Sequence, residues 1–210
     1  MLWNKLIRPA QNRFRLQRAH RIKAAFPQIT GSIVVDIGGA LPFWRSVGHI
    51  LKPSKVIIYN ISRNRMAMGY QESEDYIETH LYDGNQVPLE DGYADLVLCN
   101  SVIEHVPREA RANLASEIKR IGRHFVVQTP SPKFPLELHF GLPFIHWLPR
   151  KVARKIVPIS PFSLLAGVDA QAYFDQTILL PESELRDYFP GARIEVEWAF
   201  GFPKSLIAFG

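Results

Sequence analysis

The segment VPLEDGYADLVLCNSVIEHV at 87–106 constrains the fold more than any other part of the chain. A short unbroken apolar run, Leu96–Cys99, is approached through Asp91-Gly92 and Ala94-Asp95 and stops at Asn100-Ser101. Such a run suits a strand buried on both faces, the usual state of strands in a parallel sheet. Its polar exit, with Glu104-His105 just beyond, suits delivery of hydrogen-bonding groups to a ligand crevice. The same grammar occurs twice upstream. Ile33-Val34-Val35-Asp36-Ile37 runs into Gly38-Gly39, and Val56-Ile57-Ile58-Tyr59 ends at Asn60.

The rest of the chain fits around these strands. Residues 4–26 alternate apolar and basic positions as an amphipathic helix does, with Pro9 limiting its start. Helices are expected from near Phe43, from about Arg63, and over Glu109–Ile121. A third strand falls at 76–82, and Phe125–Thr129 makes a fifth, ended by Pro130. Strands separated by helical patterns give an open, mostly parallel α/β sheet. Near the C-terminus, Pro181–Tyr188 reads as a short helix. Ile194–Phe200 and Lys204–Phe209 read as an antiparallel hairpin turning at Gly201-Phe202-Pro203.

Between 131 and 180 the pattern breaks. Pro132, Pro135, Pro143, Pro149, Pro158 and Pro161 interrupt it, and aromatics are dense. A segment this long is rarely bare loop, and it reads as a partly helical cap over the carboxyl ends of the strands. The chain is then one domain of four parts: a basic N-terminal helix (1–30), a core (31–130), the cap (131–180), and a closing helix and hairpin (181–210).

Charge and composition narrow the function classes. The net charge is +5, and residues 1–26 hold seven Lys or Arg and no acid. A second basic cluster, Arg150, Lys151, Arg154 and Lys155, lies within IHWLPRKVARKIV at 145–157, which reads as an interfacial amphipathic stretch suited to peripheral membrane contact. Each patch also has a plainer reading as a solvated helix face. A single cysteine, Cys99, excludes an internal disulfide and a multi-cysteine zinc site. There is no apolar run of transmembrane length and no signal-peptide core, so a cytoplasmic protein is expected.

In open α/β sheets, ligands bind outside the carboxyl ends of the strands, where strand order reverses. Gly38 and Gly39 allow close backbone approach there. Asn60 is placed to take ribose hydroxyls, and Asp83-Gly84 after the third strand to meet an adenine amino group. These segments together resemble the class I S-adenosylmethionine-dependent methyltransferases, through VVDIGGA at 34–40, VIIYNIS at 56–62 and, above all, the 87–106 segment. The resemblance implies a Rossmann-like, mostly parallel seven-stranded sheet flanked by helices, with S-adenosyl-L-methionine as cofactor. It implies that Asp36, Gly38 and Gly39 lie by the methionine end, Asn60 on the ribose, Asp83 and Gly84 by the adenine, and Asn100 along the methionyl moiety. Two positions depart from the family pattern. Ala40 and Pro42 stand where further glycines are usual, and neutral Asn60 stands where an acid is usual. A dinucleotide-binding reading is disfavoured, because its fingerprint would place bulky Phe43 at a position that needs a small residue.

Methyl transfer from an activated sulfonium is accelerated chiefly by alignment. A general base is required only when the acceptor must lose a proton. His139 and His105 are the candidate bases, with His146 a further one in the cap, although each also reads as a histidine packed on its neighbours. Phe134, Leu136, Phe140, Phe144, Trp147 and Phe162 either line an acceptor pocket or form the cap's own core. The Glu137-x-His139 spacing carries no metal-site signature, and no metal is expected. The expected function is methyl transfer to a small-molecule or lipid-like acceptor, at oxygen. Two other readings stay open: a catalytically silent relative, and an RNA methyltransferase using the basic patches, although no nucleic-acid-binding appendage accompanies them.

Overall fold

The computed structural model describes residues 2–62, 75–166 and 169–210. In chain order its helices are α1 (Leu2–Ala25), α2 (Leu41–Leu51), α3 (Arg108–Ile121), α4 (Arg150–Ile156), α5 (Pro161–Ala166), α6 (Ala170–Asp175) and α7 (Glu182–Tyr188). The strands are β1 (Ile33–Ile37), β2 (Lys55–Asn60), β3 (Ile77–Leu81), β4 (Leu96–Asn100), β5 (Phe125–Pro130), β6 (Leu136–Glu137), β7 (Leu142–Pro143), β8 (Arg193–Ala199) and β9 (Phe202–Phe209). The helix expected from about Arg63 lies outside the described residues.

Seven strands form one sheet in the order β3-β2-β1-β4-β5-β9-β8. The first five are parallel, and β9 runs antiparallel between β5 and β8. Alternation along each strand sends Val35, Ile37, Val97 and Cys99 to one core and Val34, Val56, Leu96 and Leu98 to the other. Residues of α3 and α7 cover the first face; α1 and α2 cover the second. Both faces are therefore buried, as the unbroken apolar runs required. Strand order reverses between β1 and β4, and the crevice opens at their carboxyl ends.

The 87–92 segment that precedes β4 is held down by one side chain. Arg120 of α3 donates to the carbonyls of Val87 (2.9 Å) and Leu89 (2.7 Å) and to Asp91 (2.9 Å). Its neighbour Glu117 accepts the Val87 amide at 2.9 Å. The Asp95 carboxylate then takes the Ile33 amide at 2.9 Å and so fixes the entry of β4 beside β1.

Two boundaries differ from the sequence expectation. Pro9 lies inside α1, not at its start, so the helix forgoes one i→i−4 bond near its N-terminal end. The hairpin turn is Phe200-Gly201, both at positive φ (52° and 78°), while Phe202 and Pro203 belong to β9. A two-residue loop with both central residues left-handed matches the strand twist. Its glycine is at ease there; its phenylalanine is not.

The cap is part hairpin and part helix. β6 and β7 pair across a short loop, and the short helices α4 to α6 follow. They enclose a core of their own around Phe140, Ile145, Ala153, Val157, Ala170 and Phe174. The chain returns from the cap under Arg111, fully buried, which donates to Val106 O (3.0 Å), Ile178 O (2.7 Å) and Glu184 (2.8 Å).

Candidate active site

At the end of β1 the chain folds tightly around a buried acid. Asp36 accepts a 2.8 Å hydrogen bond from Trp44 Nε1 through Oδ2, while Oδ1 is buried with no partner among the described residues. Burial pushes its carboxyl up to about 7, against the opposing effect of the Trp44 bond. Gly38 has φ +71°, and a Cβ there would sit 2.5 Å from Val102; a Cβ on Gly39 would lie 1.9 Å from Asp36 Oδ2. No larger residue fits either position. Ala40 caps α2, and Pro42 stands in the first turn, where the missing N–H costs nothing. The family departure at Pro42 is therefore a compatible helix start.

The neutral residue at the end of β2 is explained by its partner. Asn60 Nδ2 donates to Gly39 O at 2.9 Å and ties the glycine turn to the neighbouring strand. A carboxylate cannot make that bond.

β4 and β5 contribute the central wall. Ser101 takes a left-handed conformation (φ 55°), and its hydroxyl donates to Gln128 at 2.9 Å. Non-glycine residues held in this region gather at functional sites. Asn100 Oδ1 accepts from Arg18, which α1 carries across the end of the sheet. Arg18 also meets Glu197 of β8 at 3.1 Å, and Lys204 of β9 meets the same carboxylate oxygen at 2.6 Å. Cys99, one residue before Asn100, is buried with its thiol pushed well up by burial, so it is no nucleophile.

The cap closes the opposite side. The β6–β7 loop presents His139, whose Nδ1 lies 2.6 Å from Glu137 Oε1, while Glu137 Oε2 accepts the Phe140 amide at 2.9 Å. His139 Nε2 faces Glu104 Oε1 at 3.9 Å. Burial alone would lower the His139 pKa, but Glu137 and then Glu104 outweigh it, and the imidazole sits above its ordinary value. Glu104 is wholly buried and pushed up by burial; Thr129 donates to its Oε2 at 3.1 Å, and Oε1 has no hydrogen-bond partner among the described residues.

His105 stacks edge-on against His139 with ring centroids 4.9 Å apart, and its nitrogens lie 3.3 Å from Thr177 Oγ1 and 3.4 Å from Tyr173 Oη. Glu104, His105 and His139 thus bring three donor atoms within 4.8 Å of one another. This cluster leaves no local signal, because its members come from two distant segments. Zinc ligands lie at about 2.0–2.1 Å from the ion, so donors stand roughly 3.3 Å apart. The cluster is looser than that, and the His139–Glu137 bond is its tightest contact.

These walls enclose a cavity of about 530 Å3, within the ordinary range for small-ligand sites, about 300–1,000 Å3. Of the sequence-predicted residues, Asp36, Gly38, Gly39, Asn100 and His139 line it. His105 stands behind His139. Asn60, Asp83 and Gly84 are not on the wall. Asp83 is exposed and closes a turn by accepting the Asn85 (2.8 Å) and Gln86 (3.0 Å) amides, which hold its carboxyl below its ordinary value. His146 is also structural: it bonds Pro132 O at 3.0 Å beside Trp147 Nε1 at 2.8 Å. Of the six apolar residues expected in the cap, Leu136 lines the cavity, Phe140 and Phe162 serve the cap core, and Phe134 is buried. Phe144 and Trp147 face outward. The residues that sequence reading missed are Arg18, Glu137 and Lys204. They carry no local signal, since each acquires its role from a partner supplied by the fold.

The unpaired Asp36 oxygen and the glycine turn that admits no Cβ fit a cradle for a polar ligand laid close to backbone. Residues 39–124 match the family model of a methyltransferase domain. No curated protein matches the chain in sequence. Among solved structures it is similar to an S-adenosylmethionine-dependent methyltransferase from Mesorhizobium loti, with 15% identity and a TM-score of 0.59 over 90% of this chain and 94% of that one. It is similar to a SAM-dependent methyltransferase from Aquifex aeolicus, with 14% identity and a TM-score of 0.57 over 94% and 92%. A third is magnesium protoporphyrin IX methyltransferase from Synechocystis PCC 6803 with bound SAH, at 18% identity and a TM-score of 0.56 over 100% and 87%. These likenesses carry the fold, that of S-adenosylmethionine-dependent methyltransferases, and residues 39–124 carry the match to a methyltransferase domain.

Two outcomes follow from the β1 cradle. Asn60→Asp replaces a donor with a second acceptor facing Gly39 O; it is expected to cost about 1–3 kcal/mol in urea unfolding and to weaken S-adenosylhomocysteine binding. Equal or tighter binding by that variant would refute the latch. Asp36 keeps its proton in the folded state up to about pH 7 but loses it near 3.8 when unfolded. Between those values the folded state binds more protons, so stability falls as pH rises, by up to about 1.4 kcal/mol per unit. Asp36→Asn should remove that slope; parallel stability–pH curves for the two proteins would sink the assignment.

Proposed function

We propose that the protein methylates a hydroxyl oxygen of a small, lipid-like acceptor, with His139 as the general base. The observation that carries this reading is the 2.6 Å bond between Glu137 and His139 Nδ1 on the cavity wall. A carboxylate on Nδ1 keeps the hydrogen there and leaves the Nε2 lone pair available. Asp36, the Gly38-Gly39 turn and Asn100 hold S-adenosylmethionine, which supplies an electrophilic methyl on sulfur when bound. His139 Nε2 takes the proton that a hydroxyl must lose as its oxygen is methylated. The imidazolium then lies between Glu137 and Glu104 and is stabilised by both. The cap and α1 keep bulk water from this step.

Because neutral His139 is the active form, kcat/KM should rise with pH through a pKa above the ordinary 6.5. Glu137→Gln withdraws the charge that raises it, so the rising limb should move to lower pH while the plateau falls. His139→Gln should cost about 10²–10⁴-fold, and His105→Gln only a few-fold. S-adenosylhomocysteine release with a hydroxylated acceptor measures all three; full activity of His139→Gln would leave alignment alone as the mechanism.

A lipid-like acceptor is favoured by what the protein leaves uncovered. Within 145–157, Ile145, Ala153 and Val157 turn into the cap core, and Arg150 and Arg154 bond to the end of α6. The outward surface is therefore narrower than the sequence suggested: Phe144, Trp147, Leu148 and Val152, with Ile159 and Leu164 further along. The β8–β9 turn rises at the same end of the sheet, since Ser205 pairs with Pro130. Its Phe200 is 93% exposed in a conformation bulky residues avoid. Exposed aromatics at a loop tip suit a bilayer interface. The protein should sediment with anionic vesicles at low salt, and Phe200→Ser with Trp147→Ser should reduce that several-fold. No sedimentation by the wild-type protein would remove the membrane from this reading.

A further inference from the structure

We propose that α1 and β9 build a carboxylate-binding subsite, Arg18 with Lys204, that holds an anionic group of the methyl acceptor. The proposal rests on the acceptor reading above only for where the other end of that molecule points. Arg18, Lys204 and Glu197 are all buried, at 5%, 7% and 1% exposure. One oxygen, Glu197 Oε2, serves both cations, at 3.1 Å and 2.6 Å. Two buried cations against one carboxylate leave an uncompensated positive charge in a place where charge is costly. Among the described residues Arg18 Nε, a donor, is buried without a partner, so the cluster does not close on itself. Among the described residues, the other acids nearby do not supply the missing charge. Glu104 acts on Arg18 at a distance but faces His139, and burial favours the neutral form of Asp36.

A simple staple between α1 and the sheet would need one cation per carboxylate. Here the second cation, Lys204 Nζ, stands 4.0 Å over the Phe14 ring on the cavity wall. Its strand lies beyond β5, on the side of β4 away from the Gly38-Gly39 turn, so the cations flank the acceptor half of the cavity. The wall of the same cavity is largely apolar, with Phe14, Pro130, Leu136 and Leu138 among its residues. The complementary molecule has a carboxylate at one end, an apolar middle and a hydroxyl near His139. Charge-assisted bonds in a water-poor site give that carboxylate both affinity and orientation.

Calorimetry on the full chain saturated with S-adenosylhomocysteine tests this without turnover. The probes are ω-hydroxy fatty acids of six to fourteen carbons and their methyl esters. At least one acid should bind about tenfold or more tighter than its ester, a difference of about 1.4 kcal/mol. Lys204→Met, which keeps the Arg18–Glu197 pair and hence the anchoring of α1, should reduce that preference to under about threefold and leave ester binding unchanged. Equal binding of acid and ester, an undiminished preference in Lys204→Met, or no acid binding at all overturns the proposal. S-adenosylhomocysteine and 5′-methylthioadenosine, which lacks the amino-acid end, form the other arm. If Lys204→Met weakens only the former, the carboxylate held is the cofactor's and the acceptor assignment falls. Acid preference together with full activity of His139→Gln would instead defeat only the oxygen-methylation reading.

Discussion

A parallel sheet covered on both faces can show polar groups only at the ends of its strands. That constraint organises everything else in this protein. β1, β2, β4 and β5 spend their lengths on aliphatic side chains packed against helices on either side. Hydrogen-bonding groups therefore collect in one layer: Asp36, Asn60, Asn100 and Gln128. The reversal of strand order between β1 and β4 separates the loops that leave these two ends, and the cavity occupies the gap. The Arg120 contacts to 87–91 serve the same end, because they fix how the chain enters β4.

Several ionisable groups in this layer are kept where water would better solvate them. Asp36 and Glu104 are pushed up by burial, and each retains one oxygen without a partner. Arg18 and Lys204 share a single carboxylate. Such arrangements seldom add net stability, and an apolar replacement of the same volume would often hold the fold as well. Their retention around one cavity is the mark of a site that is completed by what it binds.

The sheet was legible in the sequence because buried strands leave a short, punctuated apolar signature that needs no knowledge of partners. β1, β2, β4 and β5 fall where the apolar runs lie, and Asp36, Gly38, Gly39 and Asn100 line the cavity as the strand ends implied. The hairpin turn was displaced because Phe200 adopts a conformation normally reserved for glycine or asparagine. Asn60 ends β2 and Asp83 follows β3, but their side chains are engaged with Gly39 and with the Asn85-Gln86 turn, which no residue type announces. The spacing of two between Glu137 and His139 carried no metal-site signature and did not announce their contact. The two-residue strands β6 and β7 bend the chain sharply enough to bring them together. Arg18 and Glu197 meet across nearly the whole chain, a distance at which sequence pattern carries nothing.

The cap's hydrophobic cluster has a further meaning. Phe140, Ile145, Ala153, Val157, Ala170 and Phe174 pack among themselves, apart from the two cores of the sheet. A segment with its own core can loosen as a unit at a free energy below that of global unfolding. His139 sits one residue before Phe140, so this side chain of the cavity wall belongs to the smaller cooperative block. Opening of this side of the cavity then becomes a question of local equilibrium within 131–180, about a quarter of the chain, while the glycine turn and the strand ends beneath it stay in register throughout.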